Sequence, residues 1–364
     1  MKIISVVGAR PQFIKLAPLS KELRKTHNEI IIHTGQHFDK NMSEIFFNQM
    51  EIPVPDYDLN ITEATHATQT GKMLIALEDV YLKEKPDLVI VFGDTNSTLA
   101  GALAASKSHL PVMHIEAGLR SGDMKMPEEQ NRIMVDHISD YLSCPCQNAL
   151  NNLAKEGISK NVFNTGDIMY DAILMFSQKT EALNILDKFK KQYPNIELHN
   201  YQLLTIHRAS NTDNPDLLKT IFQILEASKQ KYIFPIHPRT KKKIKEYNIQ
   251  LSENIQVIEP IGYLEMLMLI KNAKKIVTDS GGLQKEAMFL KTPCITVRDT
   301  TEWMETVETG WNNLVLESSE SINQEYFLNL LCAEPLIHNK NITSPYGNGQ
   351  AAQKINDILK SIHS

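Results

Sequence analysis

The residues best placed to do chemistry in this sequence are acids that follow apolar runs. Val89 to Phe92 is a β-branched and aromatic run that stops at Gly93-Asp94, and Val112 to Ile115 stops at Glu116. A helix of small residues lies between them, so the stretch is a strand–helix–strand unit. Such units make their strands parallel neighbours about 5 Å apart, which sends Asp94 and Glu116 out of one sheet edge. Two carboxylates sharing a crevice oppose each other's ionisation, which leaves one of them able to act as a proton donor. Pro127 then opens a helix with Glu128 and Glu129 in its first turn. There the helix dipole favours the charged form, and so a base. Acid enrichment at a helix start is also ordinary helix chemistry, and the sequence does not separate the two readings.

The second half of the chain offers a different set of groups. Thr278-Asp279-Ser280-Gly281-Gly282-Leu283-Gln284-Lys285-Glu286 is a strand, a glycine pair and a helix start. Glycines let backbone N–H groups approach an anion closely, Ser280 adds a hydroxyl, and the helix dipole favours a diphosphate. Glu286, one turn further in, could accept hydrogen bonds from a ribose. The same sequence is equally that of a tight turn needing glycine for backbone reasons. Arg10 and Lys15, at the mouth of the first strand–turn–helix, add two cations to another helix N-terminus. His207 and His237 each follow an apolar run and each is close to an arginine. No H-x-x-x-H or H-E-x-x-H spacing accompanies them, so proton transfer or phosphate contact suits them better than a metal.

These groups require a scaffold of alternating strands and helices. Strands are expected at Ile3–Val7, Glu29–His33, Val89–Phe92, Val112–Ile115, Tyr141–Cys144 and Val162–Asn164. A second series follows at Leu203–Ile206, Tyr232–Ile236, Gln256–Ile258, Lys275–Thr278 and Pro293–Val297. Helices are expected around Asn41–Met50, Gln69–Lys83, from Pro127, over Tyr263–Ile270 and over Gln350–Ile362. Alternation of this kind predicts an α/β protein with two Rossmann-like, doubly wound domains and a ligand cleft between them. We place the domains at 1–167 and 168–347, with the helix in 348–364 crossing back onto the first. There is no G-x-G-x-x-G, so the dinucleotide fingerprint is absent.

Composition narrows the function further. The 364 residues are 42% hydrophobic, and 38 basic against 43 acidic side chains give a net charge of −5. A mildly acidic chain without a basic stripe argues against a nucleic-acid partner. No apolar run reaches the ~18 residues of a membrane span, and the chain begins on a strand without a signal-peptide layout, so a cytoplasmic protein is expected. Cys144 and Cys146 are spaced C-P-C and Cys294 and Cys332 stand alone, which fits reduced structural thiols.

Ordered motifs along the whole chain resemble the non-hydrolysing UDP-N-acetylglucosamine 2-epimerases. They are Gly8-x-Arg10-Pro11, His33-Thr-Gly-Gln36-His37, Gly93-Asp94-Thr95, His114-Ile-Glu116-Ala-Gly-Leu-Arg120 and Pro127-Glu128-Glu129-x-Asn131-Arg132. His207-Arg208, His237-Pro238, Asp279-Ser-Gly-Gly282-x-Gln284-x-Glu286, Arg298-Asp-Thr-Thr-Glu302 and Pro345-Tyr-Gly-x-Gly-Gln350 complete the set. The resemblance implies a GT-B type fold and inversion at C2 of a UDP-2-acetamido sugar, by anti elimination of UDP to a 2-acetamidoglycal and re-addition. It implies no cofactor and no metal, a role in supplying surface-polysaccharide precursors, and a homodimer. By motif, Asp94, Glu116, Glu128 and His207 match catalytic positions. Arg10, Lys15, Ser280, Gly281, Gly282 and Glu286 match UDP-binding positions, and His237 joins the substrate contacts.

Two departures bear on the substrate. Gln12 stands where many members carry Glu, and the segment before Pro127 is short. With Asn41-Met-Ser-Glu-Ile-Phe-Phe47 and Thr65-His-x-x-Gln69-Thr-Gly71, these resemble the branch containing enzymes for UDP-2,3-diacetamido-2,3-dideoxyglucuronate, but UDP-N-acetylglucosamine enzymes of the UDP-GlcNAc to UDP-ManNAc type share the short form, so both substrates stay open. Loss of a negative charge at position 12 would suit a substrate with an extra carboxylate. Phe38-Asp39 follow Gln36-His37 in place of the Arg-x-Gln type used by the family's regulatory substrate site, which implies no activation by substrate. Rival readings are a GT-B glycosyltransferase, a hydrolysing epimerase and a non-catalytic UDP-sugar sensor.

Overall fold

The computed structural model describes residues 1–36, 47, 51–63, 65–318, 321–334 and 344–363. His37-Phe38-Asp39 and nearly all of the helix expected around Asn41–Met50 lie outside the described residues. The chain divides into two compact units, Met1–Met175 with Ser344–Ser364, and Phe176–Thr343.

The first unit holds a seven-stranded sheet of β1 (Lys2–Val7), β2 (Asn28–His33), β3 (Tyr57–Asp58), β4 (Leu88–Phe92), β5 (Val112–Ile115), β6 (Tyr141–Cys144) and β7 (Val162–Asn164). Their order is β3-β2-β1-β4-β5-β6-β7, and each pairing is parallel. The order reverses between β1 and β4, the switch point at which doubly wound sheets open a crevice beyond their carboxyl ends. β1 and β4 are buried along almost their whole length, as strands covered by helices on both faces must be. Helix Asn96–Lys107 is made largely of Ala, Ser and Thr, and its short side chains bury against β1 and β4.

The second unit repeats the plan. β8 (Gln202–Thr205), β9 (Tyr232–Pro235), β10 (Ile255–Ile258), β11 (Lys275–Thr278), β12 (Cys294–Thr296) and β13 (Asn312–Leu314) form a six-stranded sheet in the order β10-β9-β8-β11-β12-β13. Its pairings are also parallel. The amphipathic helix Pro215–Ala227 packs Leu217, Leu218, Ile221, Phe222 and Leu225 into the core of this unit. Here the switch point lies between β8 and β11. A small antiparallel pair, β14 (Leu316–Ser318) and β15 (Ser321–Ile322), follows β13.

The final helix, Ala351–His363, belongs to the first unit and packs on helix Arg10–Leu23. Ile355 and Leu359 are fully buried there, and Asp171 accepts from the N–H groups of Ala351 and Ala352 at 3.0 and 2.9 Å. The sequence sets the boundary at 167, whereas the first compact unit runs to Met175. The first half of helix Ile168–Ala182 carries Asp171, and with it the anchor of the final helix.

Candidate active site

In the first unit the site grows from three turns. β4 ends at Gly93, whose φ of +62° turns the chain sharply into Asp94, and Thr95 caps helix Asn96–Lys107 by accepting from the Thr98 N–H. β5 ends at Glu116, a non-glycine residue with φ of +74°. The Gly93 N–H donates to the Ile115 carbonyl at 2.9 Å, so the two turns are hydrogen-bonded neighbours. A Cβ on Gly93 would be strained by the positive φ and would stand 3.2 Å from Lys15 Nζ and 3.3 Å from a Glu116 carboxylate oxygen.

The two acids do not oppose each other as the sequence suggests. Lys15 forms an ion pair with the buried Glu116. Arg132 Nη2 lies 2.5 Å from Asp94 Oδ2 and its Nη1 lies 2.8 Å from Glu129. Each carboxylate therefore has its own cation, which removes the premise of mutual repulsion. The repulsion argument missed this because both cations come from helices: Arg10–Leu23 carries Lys15 and Pro127–Ile138 carries Arg132.

The Glu128/Glu129 ambiguity is resolved by burial. Glu129 is 1% exposed and accepts from the Ser121 and Gly122 N–H groups at 2.9 Å. Burial alone would raise its pKa, but those N–H groups and Arg132 hold the carboxyl below the usual carboxylate range. Glu129 is therefore a brace for the 121–122 turn. Glu128 is half-exposed and has no hydrogen bond or ion pair to any described residue. It lies three and four residues before Asn131 and Arg132, which bond the Asp94 carbonyl and carboxylate from the same helix.

Gln12 has a different role from the one its charge suggested. It is 1% exposed, its carbonyl oxygen accepts from the Gly8 and Ala9 N–H groups, and its amide donates to the Phe92 carbonyl at 2.8 Å. It ties the β1 turn to the β4 turn from within. A donor is needed toward Phe92, so the residue serves hydrogen bonding in the core and gives no argument about a substrate carboxylate.

The second unit's edge is organised by Asp279, an acid whose part the sequence alone does not show. Asp279, fully buried after β11, accepts from the His207 and Arg208 N–H groups at 2.9 Å and from Asn211 Nδ2 at 3.1 Å, and one of its oxygens lies 3.1 Å from His207 Nδ1. Burial opposes its charge, yet His207 and these N–H groups hold its pKa below the usual range. His207 is thereby fixed with its ring 5.5 Å from that of His237. Nδ1 of His237 accepts from the Arg239 N–H at 3.2 Å; burial, with His207 and Arg239 nearby, lowers its pKa.

Helix Gly281–Phe289 begins at the same edge with Ser280 as its N-cap, and the Ser280 hydroxyl makes no capping bond. A Cβ on Gly281 would collide with Glu302, whose carboxylate pairs with Arg298 at 3.0 Å. Burial works against the Glu302 charge, but Arg298 and the nearby Arg208 hold it below the usual range. Glu286 is buried one turn into this helix. The edge thus gathers amide N–H groups, a hydroxyl, two arginines and two histidines, the equipment for a phosphorylated ligand. Arg10, at the start of helix Arg10–Leu23 in the first unit, is half-exposed.

Two doubly wound sheets with polar carboxyl edges define a two-domain α/β protein of the GT-B type. The UDP-N-acetylglucosamine 2-epimerase family model matches residues 21–360, and the chain belongs to that family of isomerases. A UDP-N-acetylglucosamine 2-epimerase homolog of Methanococcus maripaludis is 50% identical, with 100% of both chains covered. A UDP-2,3-diacetamido-2,3-dideoxy-D-glucuronate 2-epimerase of Pseudomonas aeruginosa is 46% identical, again with 100% of both covered. The crystal structure of Methanocaldococcus jannaschii UDP-GlcNAc 2-epimerase in complex with UDP-GlcNAc and UDP matches with a TM-score of 0.87 at 46% identity, covering 99% of this chain and 100% of that one. Among the described residues no helix is long and apolar enough to cross a membrane.

Proposed function

We propose that the protein inverts C2 of a UDP-2-acetamido sugar of the UDP-GlcNAc type, by eliminating UDP and adding it back. What supports this reading is that Asp94 and Glu116 stand at neighbouring strand ends, each matched to a cation, and that the helix whose Arg132 pairs with Asp94 carries Glu128 in its first turn. A single acid would suffice for a one-way proton transfer. Inversion needs a proton removed from one face of C2 and another delivered to the opposite face.

In the forward step a carboxylate takes the C2 proton, the C1–O bond to the diphosphate breaks, and a 2-acetamidoglycal and UDP form. In the return step UDP adds to C1 while a carboxyl group protonates C2 from the other face. We assign Asp94, Glu116 and Glu128 to these proton transfers, with His207 beside the leaving group. The C2 proton is weakly acidic, so departure of the diphosphate must be stabilised by fixed positive groups. We assign this to Arg10, Lys15, His237, Ser280 and the N–H groups at Gly281 and Gly282, with Glu286 on the ribose. Proton chemistry thus falls to the 1–167 part and most of the leaving-group binding to the 168–347 part. Every step balances with the substrate and these side chains alone.

The Pseudomonas relative supports a second reading, the same chemistry on UDP-2,3-diacetamido-2,3-dideoxyglucuronate, since its 46% identity is close to the 47% of the Methanocaldococcus jannaschii enzyme. Incubation with each UDP-sugar in deuterated water, following C2 by NMR, tests both readings. Deuterium is expected at C2 of both epimers of the true substrate. No incorporation with any UDP-2-acetamido sugar overturns the proposal, and steady release of UDP with free sugar moves it to a hydrolysing enzyme.

A further inference from the structure

Asp136 has no part in the proton transfers, yet its carboxylate reaches both turns that carry them. Its side chain is wholly buried on helix Pro127–Ile138. Oδ1 accepts from His114 Nδ1 at 2.7 Å, and Oδ2 accepts from Arg120 Nη1 at 2.7 Å and from the Gly118 N–H at 3.1 Å. His114, buried in β5, also places Nε2 2.7 Å from the Gly93 carbonyl. Both ring nitrogens lie 2.7 Å from an oxygen, so the ring bridges Asp136 to the residue just before Asp94.

On the other side, Gly118 lies two residues beyond Glu116. The +74° φ of Glu116 is a conformation that strains a non-glycine residue and persists only where its surroundings hold it. One carboxylate therefore holds the turn after β4 through His114 and the turn after β5 directly. The same helix presents Arg132 to Asp94 and carries Glu128 in its first turn. Arg120 also makes a two-point pair with Glu156 at 2.7 and 2.8 Å, which orients its guanidinium toward Asp136.

We propose that Asp136 is a positioning residue for the C2 reaction: through His114 and Gly118 it fixes Asp94 and Glu116 relative to each other and to Glu128. This inference rests on the assignment of proton transfer to those acids. A residue that only stabilised the fold would lower thermal stability and leave the turnover of the folded fraction alone. A positioning residue lowers kcat and leaves KM and UDP affinity in place.

Three variants separate these outcomes. Asp136→Asn removes the charge. His114→Asn keeps an amide donor near the Nδ1 position and loses the hold on Gly93, whereas His114→Gln does the reverse. In Asp136→Asn and His114→Asn, kcat for C2 exchange is expected to fall about 10²-fold, the scale of an ångström-level misplacement, with KM and calorimetric UDP affinity within about twofold. His114→Gln is expected to lose only about tenfold, and the Asp136→Asn/His114→Asn double variant no more than either single change. If Asp136→Asn does not fold, the two His114 variants decide, since both leave Asp136 on Arg120 and Gly118. Wild-type kcat in folded Asp136→Asn, or in His114→Asn, overturns the inference alone. A wild-type protein that exchanges no deuterium at C2 overturns the functional proposal, and this inference with it.

Discussion

The two sheet edges share a topology and use their acids in opposite ways. In the first unit Asp94 and Glu116 stand at strand ends with a cation each, and Glu128 has no partner among the described residues. In the second unit the strand-end acid, Asp279, is turned inward and wholly buried, and its oxygens order the His207 and Arg208 N–H groups. The outward side of that edge is left to histidines, arginines and a helix N-terminus. Position at a strand end does not decide what an acid does. What its oxygens already bind decides it: on the first edge the carboxylates pair with single cations, which suits the proposed proton transfers, while on the second one carboxylate orders the N–H groups of the edge.

The sharpest way to break this comparison is to neutralise acids on the first edge. Asp94→Asn and Glu128→Gln are expected to lower turnover about 10³-fold, within the range of lost acid–base catalysis, while UDP affinity by calorimetry stays within about twofold. Unchanged turnover in either variant would take that residue out of the proton chemistry. The reverse pattern is expected at Asp279. Asp279→Asn faces its donors with an amide, and should lower unfolding stability by about 2–3 kcal/mol in a denaturant titration and weaken UDP binding. A smaller effect is expected from Gly281→Ala, whose Cβ displaces Glu302 at the helix N-terminus. About a tenfold loss of UDP affinity with little change in thermal stability would place the anion site there.

The smallest effect is that of pH on stability. Glu129 and Asp136 in the first unit and Asp279 and Glu302 in the second are all held below the usual carboxylate range. A carboxyl whose pKa is lowered by folding binds fewer protons when folded. Its contribution is complete above the unfolded value and is lost as pH falls through the folded one. Thermal melts should therefore be flat in these contributions from neutrality to about pH 4.5, and should drop only below it. A decline from these groups already at pH 6 would contradict the assigned directions.

The strands that matter were legible because β4 and β5 are fully buried, β4 as an unbroken apolar run and β5 as one interrupted only by His114. β3, β13, β14 and β15 were missed: they are two or three residues long, and Asn312 and Asn313 open β13 with polar side chains. Strand-end acids could be read from the sequence, but their partners could not, since Lys15 and Glu116 lie 101 residues apart and Asp94 and Arg132 lie 38 apart. One signal was present and unused. Glu129, Arg132 and Asp136 recur at the three- and four-residue spacing of one helix face, which marks a charged stripe turned inward. Glu128 and Glu129 are chemically identical neighbours, and only the fold shows that one is buried against the 121–122 turn.

The return of helix Ala351–His363 to the first unit has a consequence for biosynthesis. The second unit is one continuous piece of chain, so it can complete its core as soon as residue 343 has left the ribosome. The first unit, made earlier, still lacks the helix whose Ile355 and Leu359 cover helix Arg10–Leu23 and whose first N–H groups satisfy Asp171. Order of synthesis and order of completion are thus inverted, and the half carrying the acids is sealed last.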